Sequence, residues 1–114
     1  MHSEQSQNWA AILKALAHPT RLLIAAELLQ GTRCVTDMED ILPVSQANIS
    51  QHLAVLRHAG LVDFAQDGAL RCYYLSRPQL VAGFFDLLAQ ERSPIHKTKE
   101  QIQREKELSA EVKE

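Results

Sequence analysis

The segment LPVSQANISQHLAVLRHAGLV, residues 42–62, predicts an amphipathic helix with an unusual outer face. Apolar side chains recur at helical spacing at Ile49, Leu53 and Leu56, which marks the side that packs on a core. The remaining positions carry short side chains with hydroxyl or amide groups: Ser45, Gln46, Asn48, Ser50 and Gln51. A helix that only had to stay soluble would usually expose Glu and Lys there. This surface is therefore predicted to contact a polar partner.

The composition indicates a single soluble domain. The 114 residues are 46% hydrophobic and 23% charged, an ordinary balance for a globular domain of this size. No apolar run approaches the roughly 20 residues of a membrane span, and the first residues lack the basic and apolar regions of a signal peptide. Two cysteines are too few for a disulfide scaffold. We therefore expect a cytoplasmic protein with no membrane partner.

The elements around the central segment follow the order of a winged helix-turn-helix. Apolar spacing and turn residues predict helix, helix, short strand, helix, turn, helix, β-hairpin and helix. Asn8 and Thr20 are expected to cap the first two helices. Thr36–Glu39 matches a capping box for the third helix, and Asp67–Gly68 predicts a type I′ hairpin turn. The fold class is therefore mainly α with a small three-stranded β-wing.

The polar face of the fourth helix is suited to the major groove of DNA. Short side chains let a helix enter a groove about 12 Å wide, where glutamine and asparagine pair with adenine edges and Ala47 meets a thymine methyl group. The free N–H groups at the helix start suit a phosphate, and Arg57 and Arg71 lie where phosphate contacts are useful. The predicted DNA-binding residues are Ser45, Gln46, Ala47, Asn48, Ser50, Gln51, Arg57 and Arg71.

Simpler interpretations remain open. The polar face can be an ordinary solvated helix surface, and each arginine an ordinary surface residue. The net charge is −2, and residues 33–77 hold four basic and five acidic side chains, whereas nucleic-acid modules are usually basic. DNA binding would therefore depend on where a few charges point. The alternative function is a protein–protein interaction module that keeps the fold and binds no DNA.

Three segments resemble the signature sequences of the ArsR/SmtB family of bacterial repressors. They are LKALAHPTRLLIAAELL (residues 13–29), SQANISQHLAVLRHAGLV (45–62) and DGALRCYYLS (67–76). The resemblance implies a homodimeric winged helix that binds a palindromic operator and releases it when an inducer binds. It also implies that the hairpin tip is the wing and that the first and fifth helices form the dimer interface.

The same resemblance assigns roles along the chain. By it, four side chains of the fourth helix enter the groove: Gln46, Ala47, Ser50 and Gln51. We expect the winged helix-turn-helix domain, for DNA binding and dimerisation, to cover residues 1–92. A charged helical tail is expected over residues 93–114, beginning at Ser93–Pro94, where a serine cap precedes a proline.

The metal sites that the family uses are incomplete in this sequence. One of them has two cysteines in a CVCDL segment, whereas this chain reads CVTDM at residues 34–38, with Thr36 in the second position. A single thiolate is a poor site for an ion that needs two or three sulfurs. In the fifth-helix site Asp86 fits, but Leu88 and Lys99 occupy ligand positions. We therefore expect no metal site and no cofactor.

Cys34 and Cys72 are predicted to face each other on the sheet. If Val35, Tyr73 and Leu75 face the core, period-two alternation turns both cysteines outward. Opposed residues of antiparallel neighbours have Cβ atoms about 4.5–5.5 Å apart, close to the span of a disulfide. The pair is therefore a candidate thiol switch or site for a thiophilic ion, which would make the protein a redox or metalloid sensor. The alternative is two unrelated half-buried small residues.

No catalytic constellation is recognisable in the sequence. It has no G-x-S-x-G segment and no phosphate-binding loop. His52 lies at the edge of the apolar stripe, where we expect a packed, hydrogen-bonded residue. His18 is expected at a helix end, where a cation or a capping donor is favourable. We therefore predict no enzymatic activity.

Overall fold

The computed structural model describes residues 1–90 and 92–112, which form a winged helix-turn-helix followed by a further helix. The elements are α1 Ser3–Leu16, α2 Pro19–Leu29, β1 Arg33–Cys34, α3 Val35–Ile41, α4 Gln46–His58, β2 Val62–Asp67, β3 Leu70–Leu75, α5 Pro78–Ala89 and α6 Lys99–Val112. The strands form one antiparallel sheet in the order β1-β3-β2. The predicted order of elements is confirmed, with α3 and α4 as the helix-turn-helix and β2–β3 as the wing.

An apolar core holds α4 against α2 and the sheet. Ile49, Leu53 and Leu56 are fully buried, and they belong to the same cluster as Ile24 of α2 and Val62 of β2. The predicted apolar stripe is thus the buried face of α4. Because Leu53 and Leu56 lie within about 40° of Ile49 around the helix, the opposite face is left to solvent.

The first two helices begin earlier than their predicted caps. α1 begins at Ser3, so the prediction that Asn8 caps it is wrong; its first turn is helix-forming but has no apolar periodicity to reveal it. α2 begins at Pro19 and is capped by His18, whose Nδ1 accepts the N–H of Thr20 at 3.0 Å. The predicted Thr20 cap is therefore wrong. Proline fits the first helical position because no N–H is needed there, which places the cap on the residue before it.

The short strand and the third helix are displaced from their predicted positions. Val35 starts α3 instead of ending the strand. Cys34 occupies the N-cap position, and its N–H donates to Oδ2 of Asp37 at 3.0 Å. The predicted capping box at Thr36–Glu39 is wrong, because the carboxylate of Asp37 reaches back to an N-cap two residues earlier.

The hairpin turn is of a different type from the one predicted. Asp67 pairs with Leu70, so Gly68 and Ala69 are the two turn residues. Gly68 has a φ of 61°, whereas the φ of Ala69 is not positive. A positive φ at the first turn residue alone is characteristic of a type II′ turn, and type I′ requires it at both. Alanine at the second position explains the difference, because a Cβ atom disfavours positive φ.

The last helix begins later than the predicted tail helix. Thr98 caps α6: the N–H of Gln101 donates to Oγ1 of Thr98 at 3.2 Å, and the N–H of Thr98 donates to Oε1 of Gln101 at 2.8 Å. This reciprocal pair satisfies two N–H groups at the helix start, so the predicted start at Ser93–Pro94 is wrong. No helix in residues 1–90 and 92–112 combines the length and the hydrophobicity that spanning a membrane requires.

Replacing Leu53 by alanine tests how α4 is held. Leu53 is fully buried, so Leu53→Ala removes apolar contacts and leaves a cavity, and we expect the free energy of unfolding to fall by about 2–5 kcal/mol. Val55→Ala is the matched control, because Val55 lies on the same helix and is 41% exposed; it should cost no more than about 1 kcal/mol. Urea unfolding followed by circular dichroism measures both, and equal losses would contradict this packing.

Candidate nucleic-acid interface

The outer face of α4 presents its polar side chains to solvent. Ser45 caps the helix, with its Oγ accepting the N–H of Asn48 at 3.3 Å. The following predicted side chains are all exposed: Gln46, Ala47, Asn48, Ser50 and Gln51. The first turn of α4 carries no acidic residue, so no carboxylate there repels an anion from the N–H groups that a helix start leaves without helical partners.

A cleft separates α4 from the wing. Its volume is about 360 Å³, and it brings together four of the predicted residues, which are Gln46, Ser50, Arg57 and Arg71. Val35, Thr36 and Tyr73 also line it. The other predicted residues of α4 do not line the cleft and lie on the exposed surface of the helix. The site is therefore a polar helix face bordered by a groove with one arginine on each side.

Phe64 of β2 lies between the two arginines. The guanidinium carbon of Arg57 is 4.5 Å from the centre of its ring, and that of Arg71 is 4.6 Å away. Both are within the range of a cation–π contact. Phe64 is not among the residues predicted from the sequence. The sequence offered one signal for such a contact: Phe64 lies in a predicted strand whose hairpin partner carries Arg71. Alternation along the strand, however, would have assigned the ring to the core.

Asp63 also restrains Arg57, through a hydrogen bond to its guanidinium group. The Nε–H of Arg57 donates to Oδ1 of Asp63 at 3.1 Å. The backbone N–H of Phe64 also donates to that oxygen at 2.8 Å, and together with Arg57 it holds the pKa of Asp63 below its ordinary value. Asp63 is therefore charged at neutral pH. Asp63 engages the Nε–H of Arg57, so the two terminal amino groups can bond to a further acceptor.

Cys34 and Cys72 are directly opposed and joined by a disulfide bond. They are register partners of β1 and β3, with Cα atoms 4.0 Å apart, as their outward alternation predicted. Tyr73 and Leu75 are buried and Val35 packs against the core, also as predicted. Because Arg71 and Tyr73 line the cleft, the intervening Cys72 lies on the other face of the sheet. The bond joins the wing to the residue that precedes α3.

A basic cluster joins the buried side of α4 to the first two helices. The rings of His18 and His52 have centroids 4.5 Å apart, and Nη1 of Arg21 lies 3.3 Å from Nδ1 of His52. Arg21 also donates to the backbone oxygen of Ala15 at the end of α1. The expectation that His52 is packed agrees with these contacts. His18, however, accepts a hydrogen bond from the N–H of Thr20 at a helix N-terminus, where a cation is unfavourable, so its predicted role as a cation or capping donor is wrong.

Among the residues that the structure describes, no group of three or more His, Cys, Asp or Glu side chains could hold a metal ion.

Comparison with known proteins identifies the family. The family described as "Bacterial regulatory protein, arsR family" matches residues 18–63. An uncharacterized HTH-type transcriptional regulator of Methanocaldococcus jannaschii is 38% identical over 73 residues, which cover 63% of this chain and 82% of that protein. This chain belongs to the arsR family of bacterial regulatory proteins.

Further similarities support the arsR-family fold. HlyU from Vibrio cholerae matches with a TM-score of 0.70 and 30% identity, covering 78% of this chain and 100% of that chain. The biofilm growth-associated repressor of Agrobacterium fabrum is 43% identical over 67 residues, 59% of this chain. The match covers 57% of that repressor, so this chain spans less than two thirds of its length. The winged helix-turn-helix prediction and the family resemblance are both confirmed.

Acidification is expected to destabilise this arsR-family domain through His52. Burial lowers the pKa of His52 below its ordinary 6.5, and His18 and Arg21 lower it further. The folded state therefore binds the proton less tightly than the unfolded state. Through this group the free energy of unfolding falls as the pH decreases below about 6.5 towards the folded-state pKa, and it is unaffected at higher pH. His52→Gln should therefore lose less stability than the wild type between about pH 7.5 and 5.5.

His58→Gln is the control for this experiment, because His58 is exposed at the end of the same helix. The effect of His58→Gln on the pH dependence should be smaller than that of His52→Gln. Urea unfolding at both pH values gives the three stabilities, and an unchanged pH dependence for His52→Gln would refute the assignment.

Proposed function

We propose that this protein is a homodimeric, DNA-binding transcriptional repressor whose α4 reads a palindromic operator. The observation that carries the proposal is the exposed, uncharged polar face of α4 beside a cleft that holds Arg57 and Arg71. Membership of the arsR family supports it. A winged helix-turn-helix places the second helix of the motif, here α4, in the major groove and its wing beside the DNA backbone.

The polar side chains at the start of α4 would contact base edges, and the arginines would contact phosphates. Gln46 and Gln51 can each make paired hydrogen bonds with an adenine edge, and Ala47 can contact a thymine methyl group. Asn48 and Ser50 offer further donors and acceptors on the same exposed surface. Ser45 would act mainly as the cap that fixes the helix start, while Arg57 and Arg71 bind phosphates and set the position of the protein on the duplex.

The dimer would form through α1 and α5. Trp9, Ile12, Leu13, Leu80 and Phe84 line an apolar groove between these helices. Leu87 and Leu88 of α5 are 64% and 61% exposed, and a second copy would cover this apolar surface. Two-fold symmetry then sets two reading helices about 34 Å apart, one turn of DNA, and each half-site needs few phosphate contacts.

The disulfide would be the trigger of this repressor. Oxidation of Cys34 and Cys72 forms one S–S bond and passes two electrons and two protons to an oxidant. The bond fixes the wing to the start of α3, and α3 packs against the reading helix α4. Forming or reducing the bond would therefore change the position of the wing relative to α4. We propose that the oxidised protein has the lower operator affinity. A thiophilic ion bound by both sulfurs would act at the same place.

The rival function is an interaction module that keeps the fold and binds no DNA. The net charge of −2 favours it, because nucleic-acid modules are usually basic.

Gln51→Ala separates the two functions. If Gln51 binds an adenine edge, its loss should weaken binding to the operator by about 1–3 kcal/mol, while affinity for random DNA should change little. Gln30→Ala is the control, because Gln30 is exposed at the end of α2. A gel-shift titration at several salt concentrations, with DNA from upstream of the protein's own gene, measures both. Absence of any shift by the wild-type protein would favour the interaction module.

A variant with both cysteines replaced by serine tests the trigger. The chain has two cysteines, so Cys34→Ser/Cys72→Ser leaves diamide no thiol to oxidise. We expect diamide to lower the operator affinity of reduced wild type, dithiothreitol to restore it, and neither reagent to affect the variant. Non-reducing electrophoresis shows whether the bond forms within one chain. Equal affinities of the oxidised and reduced wild type would rule out a redox trigger.

A further inference from the structure

Phe64 contacts two cations that come from different elements. Arg57 belongs to the last turn of α4, and Arg71 belongs to β3. Their guanidinium carbons lie 4.5 and 4.6 Å from the ring centre and therefore within about 9 Å of each other. Tyr73, the cross-strand partner of Phe64, packs against this ring, and the centroids of the two rings are 5.4 Å apart. Phe64 thus provides a fixed surface on which both long side chains rest.

Holding a guanidinium in place before binding has a consequence for affinity. A free arginine loses much rotamer freedom when it is immobilised on a phosphate, and a side chain that is already restrained loses less. A planar guanidinium that stacks on an aromatic face still directs its edge N–H groups outward. Arg57 is restrained twice, by the ring and by the Nε–H bond to Asp63, so its terminal amino groups stay available to a second acceptor.

The position of the pair fits one strand of a DNA backbone. The cleft lies between the helix proposed to enter the major groove and the wing, and a backbone strand separates those two grooves. Successive phosphates of one strand advance by about 3.4 Å along the helix axis. Two guanidinium groups within about 9 Å can therefore contact the same or neighbouring phosphates.

We propose that Phe64 is a positioning residue for phosphate binding: it orders Arg57 and Arg71 on either side of the cleft so that both contact one DNA strand. The inference rests on the proposed function and adds the residue that sets the electrostatic contacts. It accounts for how a chain of net charge −2 can bind DNA with few cations. Arg33, by contrast, is paired with Glu27 at 3.2 Å and does not line the cleft.

The experiment compares Phe64→Leu with Phe64→Tyr in the full chain. Leucine keeps an apolar side chain on the core but removes the ring, whereas tyrosine keeps the ring. Fluorescence anisotropy with a random-sequence duplex at several salt concentrations gives the Kd and the slope of log affinity against log salt. For Phe64→Leu we expect the Kd to rise about tenfold and the slope to fall by about 1 to 2, one unit for each lost phosphate contact. Phe64→Tyr should behave as the wild type.

The salt slope distinguishes positioning from a merely structural role. If Phe64 only filled the core, Phe64→Leu would lower the melting temperature and leave the slope of the folded protein unchanged, which would overturn the inference. Should Phe64→Leu not fold, Arg71→Lys decides the same point, because lysine keeps the charge and loses the planar contact with the ring. Wild-type affinity and slope for Arg71→Lys would also overturn it.

The two proposals fail in different ways. If the wild-type protein binds neither operator nor random duplex, the repressor function fails and this inference fails with it. If the wild type binds DNA and Phe64→Leu binds with the same affinity and salt slope, the repressor function stands and the role of Phe64 is refuted.

Discussion

The position of α4 depends on three side chains, Ile49, Leu53 and Leu56, that are removed from water against α2 and the sheet. Burying a leucine or isoleucine contributes roughly 1.5–3 kcal/mol, more than any single contact of the polar face. Rotating the helix by one residue, about 100°, would bury Ser50 in place of Ile49 and leave its hydroxyl without a partner. The apolar stripe therefore determines which side chains the solvent, or a DNA groove, can reach.

The register of a very short strand fixes the other half of the site. β1 has two residues, and it pairs Cys34 with Cys72. A slip of one residue would turn every side chain of the strand to the opposite face. Because the two cysteines lie on one face of the sheet, Arg71 and Tyr73 of β3 lie on the other, where they line the cleft. A bond on the far side of the sheet thus constrains the strand that carries a cleft arginine.

Periodicity predicted those parts of the molecule that repeat along one element. It located the buried face of α4 and the opposition of Cys34 and Cys72, because both follow from fixed repeats of about 3.6 and 2 residues. Periodicity did not predict the cap of α2, because this cap depends on a single nitrogen, Nδ1 of His18, and on Pro19, the residue that follows it. It also missed Phe64, because alternation gives the face of a strand but not which long side chains from other elements reach it.

The acidic balance of the chain and its proposed DNA binding are compatible because charge acts locally. At physiological salt, exposed charges more than about 8 Å apart are largely screened from each other, so a net charge of −2 says little about the cleft. Within the cleft, Arg57 and Arg71 share one ring, and the carboxylate of Asp63 offsets part of this charge. If the two arginines make the proposed phosphate contacts, few counterions would be released on binding, and the affinity for arbitrary DNA would be low. Discrimination would consequently come from the proposed base contacts on the polar face of α4, whose side chains from Gln46 to Gln51 carry no charge.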